Sequence, residues 1–247
     1  MTIDIIQKQS TEISYRTTPE ALAEAFLASL DVSSSSRATY TRSLKQYVGW
    51  LEETGRHSLQ LAREDILTYK DFLHDMKLSA YTVNLYLTAV RKLYQWLESQ
   101  KAYPDITRGI KGAKKPRGFR KDTLSQNQLR EVLDSMELQS LEGQRDYAMF
   151  NLMARTGLRA IEVSRALVGD IRQETGQPVL WIQGKGRDSK DDFVILTPEA
   201  LKPIKSYLKV RGRVKKDEPL FCSHSDRNQG ESLTTRSVSR IIKQALR

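Results

Sequence analysis

Between Pro19 and Ser99 apolar residues recur every three or four positions, and short polar clusters interrupt them. That spacing predicts amphipathic helices. "PEALAEAFLASL" opens with a proline at a first-turn position, where its missing N–H costs nothing. "SSSRATYTRSLKQYVGWLEET" starts on serines suited to capping and puts Tyr40, Leu44, Tyr47, Val48 and Leu51 on one face. "REDILTYKDFLHDM" is a third helix. "SAYTVNLYLTAVRKLYQWLES" is a fourth, with Val83, Leu87, Val90, Tyr94 and Leu97 as its apolar stripe. Short helices joined by polar loops predict a compact bundle.

The second half mixes periods. "LSQNQLREVLDSMEL", "LEGQRDYAMFNLMART" and "LTTRSVSRIIKQALR" read as helices, as does "PEALKPIKSYLKVRG", with Pro203 either kinking it or lying in its first turn. "PVLWIQ" and "DFVILT" read as strands joined by "GKGRDSKD", "ALVGDI" as a short strand or turn, and "EPLFCS" as extended. The fold class is therefore mainly α with a small β-sheet. Residues 1–18 form a loose tail, 19–108 a helical domain, 109–121 a linker and 122–247 an α+β domain.

Composition narrows the setting. With 39% hydrophobic residues the 247-residue chain is ordinary for a globular protein, and its apolar runs are far shorter than the roughly 20 residues of a membrane span. "MTIDIIQKQS" carries an early Asp and lacks the apolar core of a secretory signal. The single cysteine, Cys222, has no intramolecular partner, so a reducing cytoplasm is the expected location. Forty Lys+Arg against thirty Asp+Glu leave a net charge of +10, which points to a polyanionic partner.

Where such a partner would lie is partly legible. "GIKGAKKPRGFRK", residues 109–121, holds Lys111, Lys114, Lys115, Arg117, Arg120 and Lys121 and no acid. A basic linker is often merely solvated, yet one between two basic domains suits a phosphate backbone. On the fourth helix Asn84, Thr88, Arg91 and Gln95 share a polar face. They form either a solvated surface or a group that hydrogen-bonds base edges and phosphates. Arg42 and Lys45 on the second helix and Arg236 on the last complete the candidate DNA-binding set.

Two short stretches suggest chemistry. In "ARTGLRAIEV" Gly157 fits the left-handed residue that closes a helix, and a new helix restarts at Leu158. Arg159 then stands at a helix start, where a cation is unfavourable for the isolated helix but adds to an anion site. Glu162, three residues on, can hold the guanidinium. An Arg/Glu pair at this spacing is otherwise an ordinary surface ion pair. Lys185, between Gly184 and Gly186, begins the loop between the two strands. It is either a solvated hairpin tip or a mobile proton donor beside phosphates.

Together, "RDYAMFNLMARTGLRAIEVSRALVGDI", "WIQGKGRDSKDDFVIL" and "PLFCSHSDRNQGESLTTRSVSRII" resemble the catalytic domain of tyrosine site-specific recombinases of the phage-integrase and Xer types. "SSSRATYTRSLKQYVGWL" and "SAYTVNLYLTAVRKLYQWL" are similar to helices of their SAM-like core-binding domain. The resemblance implies DNA cleavage without metal or cofactor, by a tyrosine that attacks the scissile phosphate and leaves a 3′-phosphotyrosyl link. It implies that Arg159 binds the phosphate, Glu162 supports it, and Lys185 protonates the leaving 5′-oxygen. It implies double-stranded DNA clamped between the two domains and further copies of the recombinase on DNA as partners, with a monomer expected off DNA.

The match is incomplete. The family places an H-x-x-R motif and then the tyrosine after the helix corresponding to "LTTRSVSRIIKQAL", and this sequence reaches Arg247 first. "HSDR", His224 to Arg227, has the right spacing but precedes that helix and is expected to be a decoy. The last tyrosine, Tyr207, lies elsewhere. The expectation is a recombinase whose 247 residues do not cleave alone. The rival reading is a naturally short, non-catalytic module that occupies recombination sites.

Overall fold

The computed structural model describes residues 17–116 and 123–247, in two compact units, Met1–Phe119 and Arg120–Arg247. Most of the expected tail, together with Arg117, Arg120 and Lys121, lies outside the described residues.

In the first unit, α1 (Pro19–Ser29), α2 (Ser34–Glu53), α3 (Arg63–Asp75) and α4 (Ala80–Ser99) form the expected bundle. The sequence supplies the caps. Thr18, Ser33 and Ser79 accept from the backbone N–H groups of Ala21, Ser36 and Thr82. At α3 the cap residue is Ala62, and the Asp65 carboxylate reaches back to its N–H at 2.8 Å. Both predicted stripes face the core: Leu44, Tyr47, Val48 and Leu51 are buried, as are Val83, Leu87, Val90, Tyr94 and Leu97, while Tyr40 packs at the edge. The two central tyrosines keep their hydroxyls paired, Tyr47 with Tyr94 at 2.8 Å and Tyr94 with the Ser58 carbonyl at 2.9 Å. The segment expected to leave the domain at residue 109 does not do so at once, because Ile110 and Ala113 are buried in this same core.

The second unit contains α5 (Gln126–Ser135), α6 (Leu141–Thr156), α7 (Ala160–Arg165), β1 (Ile171–Glu174), β2 (Gln177–Ile182), β3 (Asp192–Ile195), α8 (Pro198–Arg211) and α9 (Thr235–Ala245). Helix α6 packs on α8 and α7 on α9, with Leu152, Leu180, Ile204, Tyr207 and Val238 fully buried between the layers. The sheet is antiparallel in the order β1-β2-β3, with Leu180 opposite both Ile171 and Val194.

Three details refine the sequence reading. "ALVGDI" takes the turn alternative, a 3-10 turn over Val168–Asp170, and its last residue, Ile171, opens a further strand, β1, whose polar remainder the sequence left unmarked. A two-residue hairpin, Thr175 and Gly176 at φ 48° and 80°, joins β1 to β2. "EPLFCS" is extended but makes only isolated bridges, Leu167 to Pro219 and Cys222 to Ser232. Finally, Pro203 lies inside α8, beyond its first turn. It cannot donate to the Glu199 carbonyl one turn back. That carbonyl accepts from Nδ2 of buried Asn151 on α6 instead, at 2.8 Å.

Candidate active site

Helix α6 ends as expected, with Gly157 left-handed at φ 69° and its N–H on the Met153 carbonyl. The next helix starts two residues later than the sequence suggests. Leu158 is buried in the core, Arg159 is the residue before the first turn, and α7 begins at Ala160. An arginine side chain cannot accept a hydrogen bond, so Glu162 does the capping. Its Oε2 accepts the Arg159 backbone N–H at 2.7 Å and its Oε1 accepts from Arg159 Nη1 at 3.0 Å. The geometry is asymmetric: the glutamate side chain is 5% exposed and the arginine side chain 74%. A buried carboxylate is tolerable only when its lone pairs are filled. The guanidinium is thus fixed through one nitrogen while most of its donors remain directed outward.

Lys185 occupies a tight turn at the end of β2. The Arg187 N–H donates to the Gly184 carbonyl at 3.2 Å, and Gly186 at φ 79° supplies the left-handed third position. The loop is tied down at both ends. Arg165, the last residue of α7, donates from Nη1 to the Gly184 carbonyl at 3.3 Å. Lys190 pairs with buried Asp170, which also accepts the Leu167 N–H at 2.7 Å. Helix α7 therefore carries Arg159 at its start and grips the Lys185 loop at its end.

Arg159, Glu162 and Lys185 all line one hollow of about 460 Å³, together with Arg187, Asp191 and Asp192. Arg159 and Lys185 thus face one space. Its charged groups are balanced in number, and Arg187 pairs with Asp191 at 2.8 Å. The hollow offers directed N–H donors without a surplus of positive charge.

The remaining expectations divide. Arg42, Lys45, Lys111 and Lys114 are exposed. Arg236 is exposed as well and lines a separate hollow of about 610 Å³ with Arg240, Lys243 and Arg247, one cationic face of α9. Asn84, Thr88 and Arg91 find partners within the chain: Asn84 with the backbone of Ala113, Thr88 with the Asn84 carbonyl, and Arg91 with the Ile110 carbonyl. "HSDR" is away from the hollow, for His224 contacts Tyr207 and Cys222. Tyr207 is fully buried, its hydroxyl 3.0 Å from His224 Nε2, and burial pushes its pKa well above the ordinary value. Sequence reasoning missed Arg165 and the Asp170–Lys190 pair, since only the folded loop brings them together.

Residues 122–247, about half of the chain, match the phage integrase family, and residues 23–101 match the phage integrase N-terminal SAM-like domain. The chain belongs to the phage integrase family of tyrosine recombinases. Similar members include a tyrosine recombinase of Synechococcus elongatus, 25% identical over 224 residues, covering 86% of this chain and 69% of the relative. The tyrosine recombinase XerC of Herpetosiphon aurantiacus is 27% identical over 232 residues, covering 89% and 72%. Among solved structures, the XerH site-specific recombinase bound to a palindromic difH substrate superposes with a TM-score of 0.68 at 22% identity, over 93% of this chain and 69% of that one. A lambda integrase dimer bound to a core site gives 0.69 at 13% identity, over 92% and 62%. At these identities the structures establish the shared recombinase fold, with its helical bundle and its mixed second unit. Among the described residues no helix is long and apolar enough to cross a membrane.

Proposed function

We propose that this chain binds duplex DNA at a recombination site through both units, and that Arg159 and Lys185 hold the scissile phosphate. The observation that carries this reading is the convergence of the two cations, remote in sequence, on one hollow, with Arg159 braced by a buried carboxylate. In the chemistry, an attacking tyrosine oxygen forms a P–O bond while the bond to the 5′-oxygen breaks. Arg159 donates to the phosphate oxygens, on which negative charge accumulates. Lys185 gives its proton to the departing 5′-oxygen. Glu162 acts through Arg159 as a positioning residue. Exposed Arg42, Lys45, Lys111 and Lys114 and the cationic face of α9 contact the DNA backbone, and further copies of the chain join on DNA, as in the lambda integrase complexes.

We also propose that these 247 residues do not cleave DNA alone. Among the residues described in the second unit the tyrosines are Tyr147 and Tyr207, and neither lines the hollow of Arg159. Tyr207 is buried against His224, and Tyr147 lines a different hollow with Asn151 and Arg155. The test combines a salt titration with a denaturing gel on a nicked duplex that traps covalent intermediates. The expected outcome is binding that weakens steeply with salt and no protein–DNA adduct. A covalent adduct would overturn the second proposal; affinity indifferent to salt would overturn the first.

A further inference from the structure

Residues 110–115, outside any helix or strand, lie along α4 as a strap held at three heights. Arg91 Nη2 donates to the Ile110 carbonyl at 2.8 Å. Two turns closer to the helix start, Asn84 takes both polar groups of Ala113: Oδ1 accepts the N–H at 2.8 Å and Nδ2 donates to the carbonyl at 2.9 Å. One turn further, Lys115 Nζ stands 5.1 Å from the centre of the Tyr81 ring. The helix positions fall as the strap positions rise, so the two run antiparallel.

We propose that Asn84 and Arg91 are positioning residues that lock the first half of the linker onto α4, so that Lys111, Lys114 and Lys115 face DNA from a fixed backbone. A carboxamide carries a donor and an acceptor side by side, and here it stands in for the ladder partner that a lone extended segment lacks. Gly112 belongs to the same device: a Cβ there would stand 2.0 Å from Asn84 Oδ1, so only glycine admits the approach. Within the strap Ile110 and Ala113 are buried while the three lysines stay exposed. The purpose of the lysines rests on the DNA reading above; the lock itself does not.

The test is amide hydrogen exchange on the full chain, read at Ala113, with duplex affinity measured in parallel. In the unaltered chain the Ala113 amide is protected. Asn84→Ala and Gly112→Ala each lower that protection at least about tenfold, while Leu87 in the helix core keeps its own. The double variant loses no more than Asn84→Ala alone, because the atoms nearest the added methyl all belong to the carboxamide that is gone. Duplex affinity falls severalfold in all three. An Ala113 amide that exchanges at the free-peptide rate in the unaltered chain overturns the lock, as does protection unchanged by Asn84→Ala or additive losses in the double variant. Protection without any duplex binding would instead sink the DNA reading and leave the lock standing.

Discussion

Glu162 is almost fully enclosed, and both of its oxygens are occupied by N–H groups of a single residue, Arg159. This pair was legible in the sequence because Gly157 marks a helix end and a glutamate three residues past an arginine shares its face. Lys185 was legible for a similar reason, a lysine between glycines at the end of a strand. Arg165 was not, because nothing local distinguishes it; its role depends on where the Gly184 carbonyl arrives after two strands have folded back. His224 offers a separate test at this scale. Burial foremost, then the nearby Arg145, holds its pKa below the usual 6.5. The unfolded chain therefore takes up the proton first, and stability is lost as pH falls from about 6.5 toward the folded-state value. Urea midpoints measured against pH should show this acid-side decline, and His224→Gln should flatten it. An identical slope in the variant would remove His224 as its source.

Among the elements, helices read well from sequence because each couples an apolar stripe to a recognisable cap. Strand β1 read poorly for the opposite reason. "IRQE" has one apolar residue in four, and its hairpin uses Thr-Gly rather than the Asn-Gly or Asp-Gly pair that advertises such a turn. The polar face of α4 was legible as a stripe but not in its use, since its partner is a linker that the sequence describes only as basic. The α6–α8 contact also carries information beyond periodicity. A buried asparagine on one helix and a proline inside the other make sense together, through the carbonyl that Pro203 leaves unpaired. Asn151→Ala should lower unfolding free energy by about 1–3 kcal/mol, the cost of a buried unsatisfied carbonyl. In a Pro203→Ala background, where residue 203 recovers its N–H, at least half of that loss should disappear. Chemical denaturation of the four chains checks this, and equal losses in both backgrounds would contradict it.

Taken whole, the molecule is a recombinase-family chain whose excess of 40 Lys+Arg over 30 Asp+Glu is not concentrated where the chemistry is expected. The hollow of Arg159 and Lys185 is balanced in charge, while no acidic residue lines the α9 hollow and the strap carries three exposed lysines. On the proposed reading, broad surfaces hold the DNA and a small set of aimed donors selects one phosphate. The slope of log affinity against log salt for a duplex, about −0.9 per phosphate engaged, measures this division. Arg159→Ala, Lys185→Ala and the double variant should be titrated beside the unaltered chain. If the two cations share a phosphate, the double variant's slope falls by about 0.9 in magnitude. A fall of about 1.8, or no change at all, would place them on different phosphates or on none, and would contradict the account.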